Sequence, residues 1–127
     1  MKIEIVSTDQ APAAIGAYSQ GMVVGELVYF SGQIGIDPIS SHLRNGFDGQ
    51  LEQILKNINY LLTSIGLTPK HVIKTTVFMT NLGEFSKVNA AYEKFFSKPF
   101  PARSTVEVRR LPKDAEIEIE VMAVKNI

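Results

Sequence analysis

The chain has 127 residues, of which 45% are hydrophobic and 20% charged, with 13 basic against 13 acidic side chains. A globular chain of this length buries enough surface for one core, so we expect a single domain over residues 1–127. The absence of cysteine excludes disulfides, thiolate zinc sites, iron–sulfur clusters and a cysteine nucleophile. A net charge of zero removes the general attraction to phosphate, and we therefore expect no nucleic-acid partner.

Metal sites and membrane segments are also not expected. The two histidines, His42 and His71, lie 29 positions apart and form no metal-binding spacing. No stretch approaches the roughly 20 apolar residues that span a bilayer. Because the first ten residues mix charged and apolar side chains, they lack the pattern of a signal peptide, and we expect a cytoplasmic protein.

The first part of the chain favours short strands. Residues 3–6 form the first predicted strand, and two apolar runs at 22–24 and 27–31 are separated only by Gly25 and Glu26. A two-residue connection with glycine first is typical of a type II′ hairpin turn.

Two amphipathic helices flank a strand in the middle of the chain. Apolar residues spaced by three or four predict a helix over residues 47–65, and Gly66 suits the position after its end. The β-branched run 72–80 predicts a strand. A second helix is predicted from the following apolar positions and ends before Pro99 and Pro101. Its apolar side consists of Leu82, Phe85, Val88, Tyr92, Phe95 and Phe96.

Two further strands, residues 103–109 and 116–125, complete the pattern. Three strands, then helix, strand and helix, then two strands predict an α+β fold with both helices on one face of a mixed sheet.

Alternation sorts the side chains of the last strand onto two faces. Ile117, Ile119, Val121 and Ala123 form an apolar side, which we expect to pack on the helices. The other side carries Glu116, Glu118, Glu120, Met122 and Val124. One interpretation is a charged strand end with a few exposed apolar residues. The other is a face covered by a second subunit, with one or more glutamates lining a cleft between copies.

Arg103 is a candidate for binding a carboxylate, because guanidinium presents paired donors that match it, although a surface arginine has the same pattern. Gly32 leaves its backbone N–H approachable. Tyr18 and Asn89 have both packing and binding interpretations. No nucleotide-binding, nucleophile-elbow or calcium-loop motif is present.

Several motifs together resemble the Rid family, formerly YjgF, and more closely its RidA branch. The most specific is residues 101–108, PARSTVEV, followed by RLPKD at 110–114 and IEIE at 117–120. Other matching segments follow in family order: AAIGAYSQ at 13–20, SGQI at 31–34, VIKTTVF at 72–78 and VNAAY at 88–92.

The resemblance implies a chorismate-mutase-like α+β fold, assembled as a homotrimer with clefts between subunits. It further implies hydrolytic deamination of reactive 2-imino acids, such as 2-iminobutanoate and 2-iminopropanoate, to 2-oxo acids and ammonia, without cofactor or metal. Arg103 corresponds to the residue that binds the substrate carboxylate and Glu118 to the residue that activates water. The resemblance also places Tyr18, Gly32, Asn89 and Thr105 in substrate binding.

Two positions depart from the family pattern. Thr105 stands where many RidA members have cysteine, and Ala17 stands where a proline is frequent. Two other functions remain open: a regulatory trimer that binds 2-oxo acids without turnover, and an endoribonuclease or translation inhibitor. The balanced charge and the lack of a basic patch with interleaved aromatic residues count against the second.

Overall fold

The protein is described by a computed structural model over residues 2–127, and it contains one mixed six-stranded sheet with two helices. The strand order is β1-β2-β3-β6-β4-β5, in which only β4 and β5 pair in parallel. The elements are β1 Ile3–Val6, β2 Gly21–Val24, β3 Leu27–Phe30, α1 Gly46–Ser64, β4 Val72–Met79, α2 Phe85–Phe95, β5 Ala102–Glu107 and β6 Ile117–Val124. The predicted fold class is therefore confirmed, with the elements in the expected order.

The boundaries differ from the sequence predictions by a few residues, for local reasons. β5 ends at Glu107 instead of residue 109 because its neighbour β4 ends at Met79, with which Glu107 is paired. Leu82–Glu84 forms a separate 3₁₀ turn before α2, since the Asn81 side chain accepts a hydrogen bond from the Gly83 N–H at 2.9 Å.

The end of α1 agrees with the predicted glycine stop. Gly66 has a φ of +77°, and its N–H donates to the Thr63 carbonyl at 3.0 Å while the Leu67 N–H donates to the Leu62 carbonyl at 2.9 Å. These two bonds satisfy carbonyls that would otherwise be left without partners at the helix end.

The core lies between the helices and one face of the sheet. The apolar side of β6, with Ile117, Ile119, Val121 and Ala123, is buried as expected. It packs with α1 residues Ile54, Ile58, Leu61 and Leu62, which are fully buried.

Within residues 2–127 no helix packs on the opposite face of the sheet, and this face is partly exposed. Glu118 and Glu120 lie on this open face, paired with Phe78 and Thr76 of β4. Exposed apolar side chains, among them Ile5, Tyr29 and Val106, also belong to strands of this sheet. No helix within residues 2–127 has the length and apolar character needed to cross a membrane.

Candidate functional site

One cavity, with a volume of about 520 Å³, surrounds Glu118. β6 supplies Glu118, the segment after β3 supplies Ser31, Gly32 and Gln33, and the loop after β1 supplies Tyr18. Pro112 and Lys113, from the turn before β6, complete one wall. Tyr18, Gly32 and Glu118, which the sequence nominated separately, therefore lie in one cavity.

Gly32 is placed against the Glu118 carboxyl group. The Gln33 and Ile119 backbones exchange two hydrogen bonds of 2.9 and 3.0 Å, which brings residue 32 beside residue 118. A Cβ atom on residue 32 would overlap Glu118 Oε2 and lie 3.0 Å from its Cδ. Only glycine therefore leaves room for this carboxyl group in its present position.

The environment of Glu118 disfavours its charged form. Partial burial raises the pKa of Glu118 above its usual range, and the negative charge of nearby Glu120 raises the pKa further. A carboxylate whose pKa is raised binds a proton more readily, which suits a group that takes a proton from water and returns it.

The loop that carries Tyr18 is held by a buried glutamine. Gln20 Oε1 accepts a hydrogen bond from the Thr8 N–H at 2.7 Å, and Gln20 Nε2 donates to the carbonyls of Thr8 at 3.0 Å and Pro12 at 2.8 Å. The Tyr18 hydroxyl accepts a bond from the Ile15 N–H at 3.4 Å, while its ring remains exposed. The sequence did not single out Gln20, because glutamine has no motif that marks it as buried.

A second cavity, of about 430 Å³, contains Arg103 and Asn89. Its other lining residues are Tyr92, Glu93, Phe100 and Pro101. The Arg103 Cζ atom lies 5.1 Å from the centroid of the Phe85 ring and 5.3 Å from that of Tyr92. Within residues 2–127, Arg103 forms no salt bridge and its N–H groups donate to no protein acceptor. Its guanidinium is therefore available to an anionic ligand.

Thr105 follows Arg103 on the same side of β5, paired with Val77 of β4. Its Oγ1 atom is buried and has no hydrogen-bond partner in the part of the chain described here. A buried hydroxyl without a partner is uncommon, so this atom can still accept or donate a bond.

The two cavities lie on opposite faces of the sheet. Arg103 is paired with Thr75, whose side chain is buried under α2, whereas Glu118 is paired with Phe78 on the open face. Because β4 lies between β5 and β6, two strand spacings separate Arg103 from Glu118. Their partners on β4 are three positions apart, so the Cα atoms of Arg103 and Glu118 lie roughly 14 Å from each other. A single chain thus does not bring these two side chains together.

No three carboxylate or imidazole side chains within residues 2–127 form a group that could hold a metal ion. The His71 Nδ1 atom instead accepts a hydrogen bond from the Thr68 N–H at 3.1 Å.

Comparisons with known proteins cover nearly the whole chain. A family model described as endoribonuclease L-PSP matches residues 8–125. A Salmonella typhimurium protein named 2-iminobutanoate/2-iminopropanoate deaminase is 46% identical over 124 residues, which is 95% of this chain and 97% of that protein.

Solved structures agree with the fold. RidA from an Antarctic Psychrobacter species superimposes with a TM-score of 0.93 at 41% identity, covering 95% of this chain and 98% of that one. Escherichia coli TdcF with bound serine gives 0.91 at 38% identity, with 97% and 99% covered. The matched family region includes both β5, which carries Arg103, and β6, which carries Glu118.

Proposed function

Because the chain belongs to the endoribonuclease L-PSP family, also called the YjgF or Rid family, we propose that it hydrolyses 2-imino acids to 2-oxo acids and ammonia. A relative that is 46% identical bears the name of this activity, with 2-iminobutanoate and 2-iminopropanoate as substrates. The observation that carries the proposal is Arg103, a half-buried guanidinium that faces a cavity and has no protein partner among residues 2–127. Arginine is well suited to hold the carboxylate that every 2-imino acid contains.

The reaction needs Arg103 and Glu118 in one site, and this requirement leads to an oligomer. The carboxylate carbon of a 2-imino acid is bonded directly to the imine carbon, so both side chains must lie within a few ångströms of the same small molecule. Since the two are roughly 14 Å apart in one chain, we infer that Arg103 of one copy meets Glu118 of another. A cyclic homotrimer would contain three such clefts, each between two subunits.

The exposed open face supports this assembly. Ile5 is 67% exposed and Tyr29 41% exposed, whereas their neighbours Val6 and Val28 are buried in the core on the other side of the sheet. Apolar surface of this kind on one side of a sheet favours burial against another copy. Glu118 on the same face would then lie at the subunit boundary.

The proposed mechanism uses orientation, one base and charge complementarity. Arg103 binds the substrate carboxylate through two N–H donors. Glu118 takes a proton from water as the water oxygen bonds to the carbon of the protonated imine, and the π electrons of the C=N bond move to nitrogen, which leaves a neutral amino group. Glu118 then passes this proton to the amino group. The C–N bond breaks as the O–H electrons form the C=O bond, and the hydroxyl proton passes through Glu118 to the departing ammonia, which leaves as ammonium beside the 2-oxo acid.

The remaining site residues have supporting roles in this proposal. Asn89 lies in the Arg103 cavity and Tyr18 in the Glu118 cavity, so each contributes one wall of the joined cleft. Because Gly32 has no Cβ atom, the Glu118 carboxyl group can lie close to the backbone of residue 32. Thr105 lies two residues beyond Arg103 on the same face, and its side-chain hydroxyl has no hydrogen-bond partner among residues 2–127. In this proposal its backbone borders the substrate carboxylate.

A coupled assay tests this function. A reaction that releases 2-iminobutanoate is run with semicarbazide as a competing trap, and micromolar protein is expected to increase 2-oxobutanoate formation and reduce trapping. Arg103→Ala removes the charge-assisted carboxylate contact, worth about 1.5–3 kcal/mol, and is expected to lower kcat/KM by at least about tenfold. Arg109→Ala, which replaces an exposed arginine two residues beyond the end of β5, serves as the matched control.

Failure of the parent protein to accelerate the reaction would contradict the proposal. Binding of 2-oxobutanoate without imine turnover would instead support a regulatory trimer that uses the same cleft. RNA cleavage that persists in Arg103→Ala but disappears on further purification would come from a contaminant, whereas cleavage abolished by Arg103→Ala would overturn the deaminase assignment.

A further inference from the structure

The side chain of Arg103 lies between two aromatic rings of α2. Its Cζ atom is 5.1 Å from the Phe85 ring centroid and 5.3 Å from the Tyr92 centroid. Both distances are within the roughly 6 Å over which a guanidinium and an aromatic ring attract each other. Phe85 and Tyr92 are seven residues apart, so two turns of helix bring their rings to one face of α2.

Tyr92 is fixed independently of any ligand. Its hydroxyl donates a hydrogen bond of 2.9 Å to Thr75 Oγ1, and Thr75 is the residue paired with Arg103 across the β4–β5 ladder. Its ring also meets Phe96 edge to face, with centroids 5.0 Å apart. Burial raises the pKa of Tyr92 to about 12, so the phenol remains neutral at physiological pH.

An aromatic ring and a carboxylate interact with a guanidinium in different ways. A protein carboxylate would occupy the N–H donors of Arg103 and compete with the substrate, whereas a ring attracts the charge without accepting strong hydrogen bonds. No salt bridge to Arg103 occurs within residues 2–127, although Glu93 lines the same cavity.

We propose that Phe85 and Tyr92 form an aromatic clamp, which holds the Arg103 guanidinium in position and leaves its donors free for the substrate carboxylate. The proposal rests on the proposed function, because it assigns the two rings to the carboxylate side of the imino-acid site. Phe85 and Tyr92 are positioning residues in this scheme, since they act through Arg103. They should affect substrate binding more than the chemical step.

The test measures binding and turnover separately. Phe85→Leu and Tyr92→Leu remove one ring each, and each is expected to raise both the KM for 2-iminobutanoate and the Kd for 2-oxobutanoate about three- to thirtyfold. The kcat of these variants should change less than about twofold. Tyr92→Phe retains the ring and loses only the hydroxyl contact with Thr75, so its KM should remain closer to the parent value.

Two controls separate the clamp from general packing. Phe95→Leu removes a partly buried ring of the same helix that contacts Phe96 rather than Arg103, and it should leave KM and Kd near those of the parent. In an Arg103→Ala background, Phe85→Leu should weaken 2-oxobutanoate binding no further. Thermal unfolding shows whether each variant is folded. If Tyr92→Leu does not fold, Phe85→Leu remains as the test, because Phe85 is partly exposed.

The outcomes distinguish the clamp from the proposed function. Ring variants with the parent's KM and Kd would overturn the clamp while leaving the deaminase assignment intact. Equal losses in Phe95→Leu, or a further loss from Phe85→Leu in the Arg103→Ala background, would also overturn it. If the parent bound 2-oxobutanoate without hydrolysing imines, weaker binding in Phe85→Leu would support the clamp although the proposed function had failed.

Discussion

At the residue scale, the position of Glu118 determines its acidity. Its carboxyl group is partly buried against Gly32, and Glu120 lies two positions away on the same open face. Both burial and the neighbouring charge raise the pKa of Glu118 above the ordinary glutamate value of 4.5. Glu118 is deprotonated, and able to act as a base, only above that raised pKa.

This acidity predicts the pH dependence of the proposed activity. As the pH falls, kcat/KM should decrease with a midpoint above 4.5, because Glu118 becomes protonated. Glu120→Gln removes the neighbouring negative charge and lowers the pKa of Glu118, so the acid limb should move to lower pH. Kinetic profiles of the two proteins between about pH 4 and 8 provide the measurement.

Glu116→Gln is the matched control for this shift. Glu116 lies two positions from Glu118 in the other direction along the chain, but it does not contribute to the raised pKa. Its variant should therefore retain the parent's acid limb. The assignment of Glu118 as the base would be contradicted if the midpoint of the acidic decrease in kcat/KM did not shift in Glu120→Gln, or if it shifted equally in Glu116→Gln.

At the scale of elements, the strands and helices could be predicted from periodicity, whereas the loops could not. The helical face over residues 47–65 and the alternation of β6 each place several apolar side chains on one side, so their burial follows from local pattern. The segment 31–44 has no such pattern. Its position depends on long-range bonds such as those between Gln33 and Ile119, which no local spacing reveals.

The candidate site shows the same division. The family motifs nominated Arg103 and Glu118 as candidates, and strand alternation alone assigned Glu118 to the face away from the helices. The pairing of Arg103 with Thr75 on the helix side depends on the register between β4 and β5, which the sequence does not encode locally. Phe85 and Tyr92 were predicted only as part of an apolar helix face, because a ring next to a cation has the same spacing as a ring in the core.

The loop between β1 and β2 is an element that depends on one side chain. Gln20→Met keeps the approximate volume but removes the bonds to Thr8 and Pro12, leaving part-buried backbone groups without partners. We predict a loss of about 1–3 kcal/mol in the free energy of unfolding. The melting temperature should fall by at least about 2 °C. Because Tyr18 is carried by this loop, kcat/KM should also decrease.

Thermal unfolding and the imine assay check this prediction, with Gln10→Met as the control. Gln10 is exposed, and among residues 2–127 its side chain bonds only to Asp9, so its replacement should change the stability by less than about 0.5 kcal/mol. A Gln20→Met protein that unfolds at the parent's temperature would show that these bonds contribute nothing to the loop.

At the scale of the whole molecule, the sheet separates the two halves of the proposed site. Arg103 lies on the helix face at the β5 edge, and Glu118 lies on the open face of β6. One 14.0 kDa chain would therefore supply the proposed carboxylate receptor in one cavity and the proposed base in another. A cleft between copies joins the two when Arg103 of one subunit faces Glu118 of the next, as the trimer proposal requires.

Mixing two inactive variants tests this arrangement directly. Arg103→Ala retains Glu118, and Glu118→Gln retains Arg103, so each homotrimer is expected to lose most of its turnover. In mixed trimers formed from equal amounts, a cleft is competent when one neighbour supplies an intact Arg103 and the other an intact Glu118. Random assembly makes about one quarter of the clefts competent, so co-expression should restore about one quarter of the parent's activity per subunit. If both side chains acted within one chain, no mixed assembly would contain a complete site, and the mixture would remain as inactive as its components.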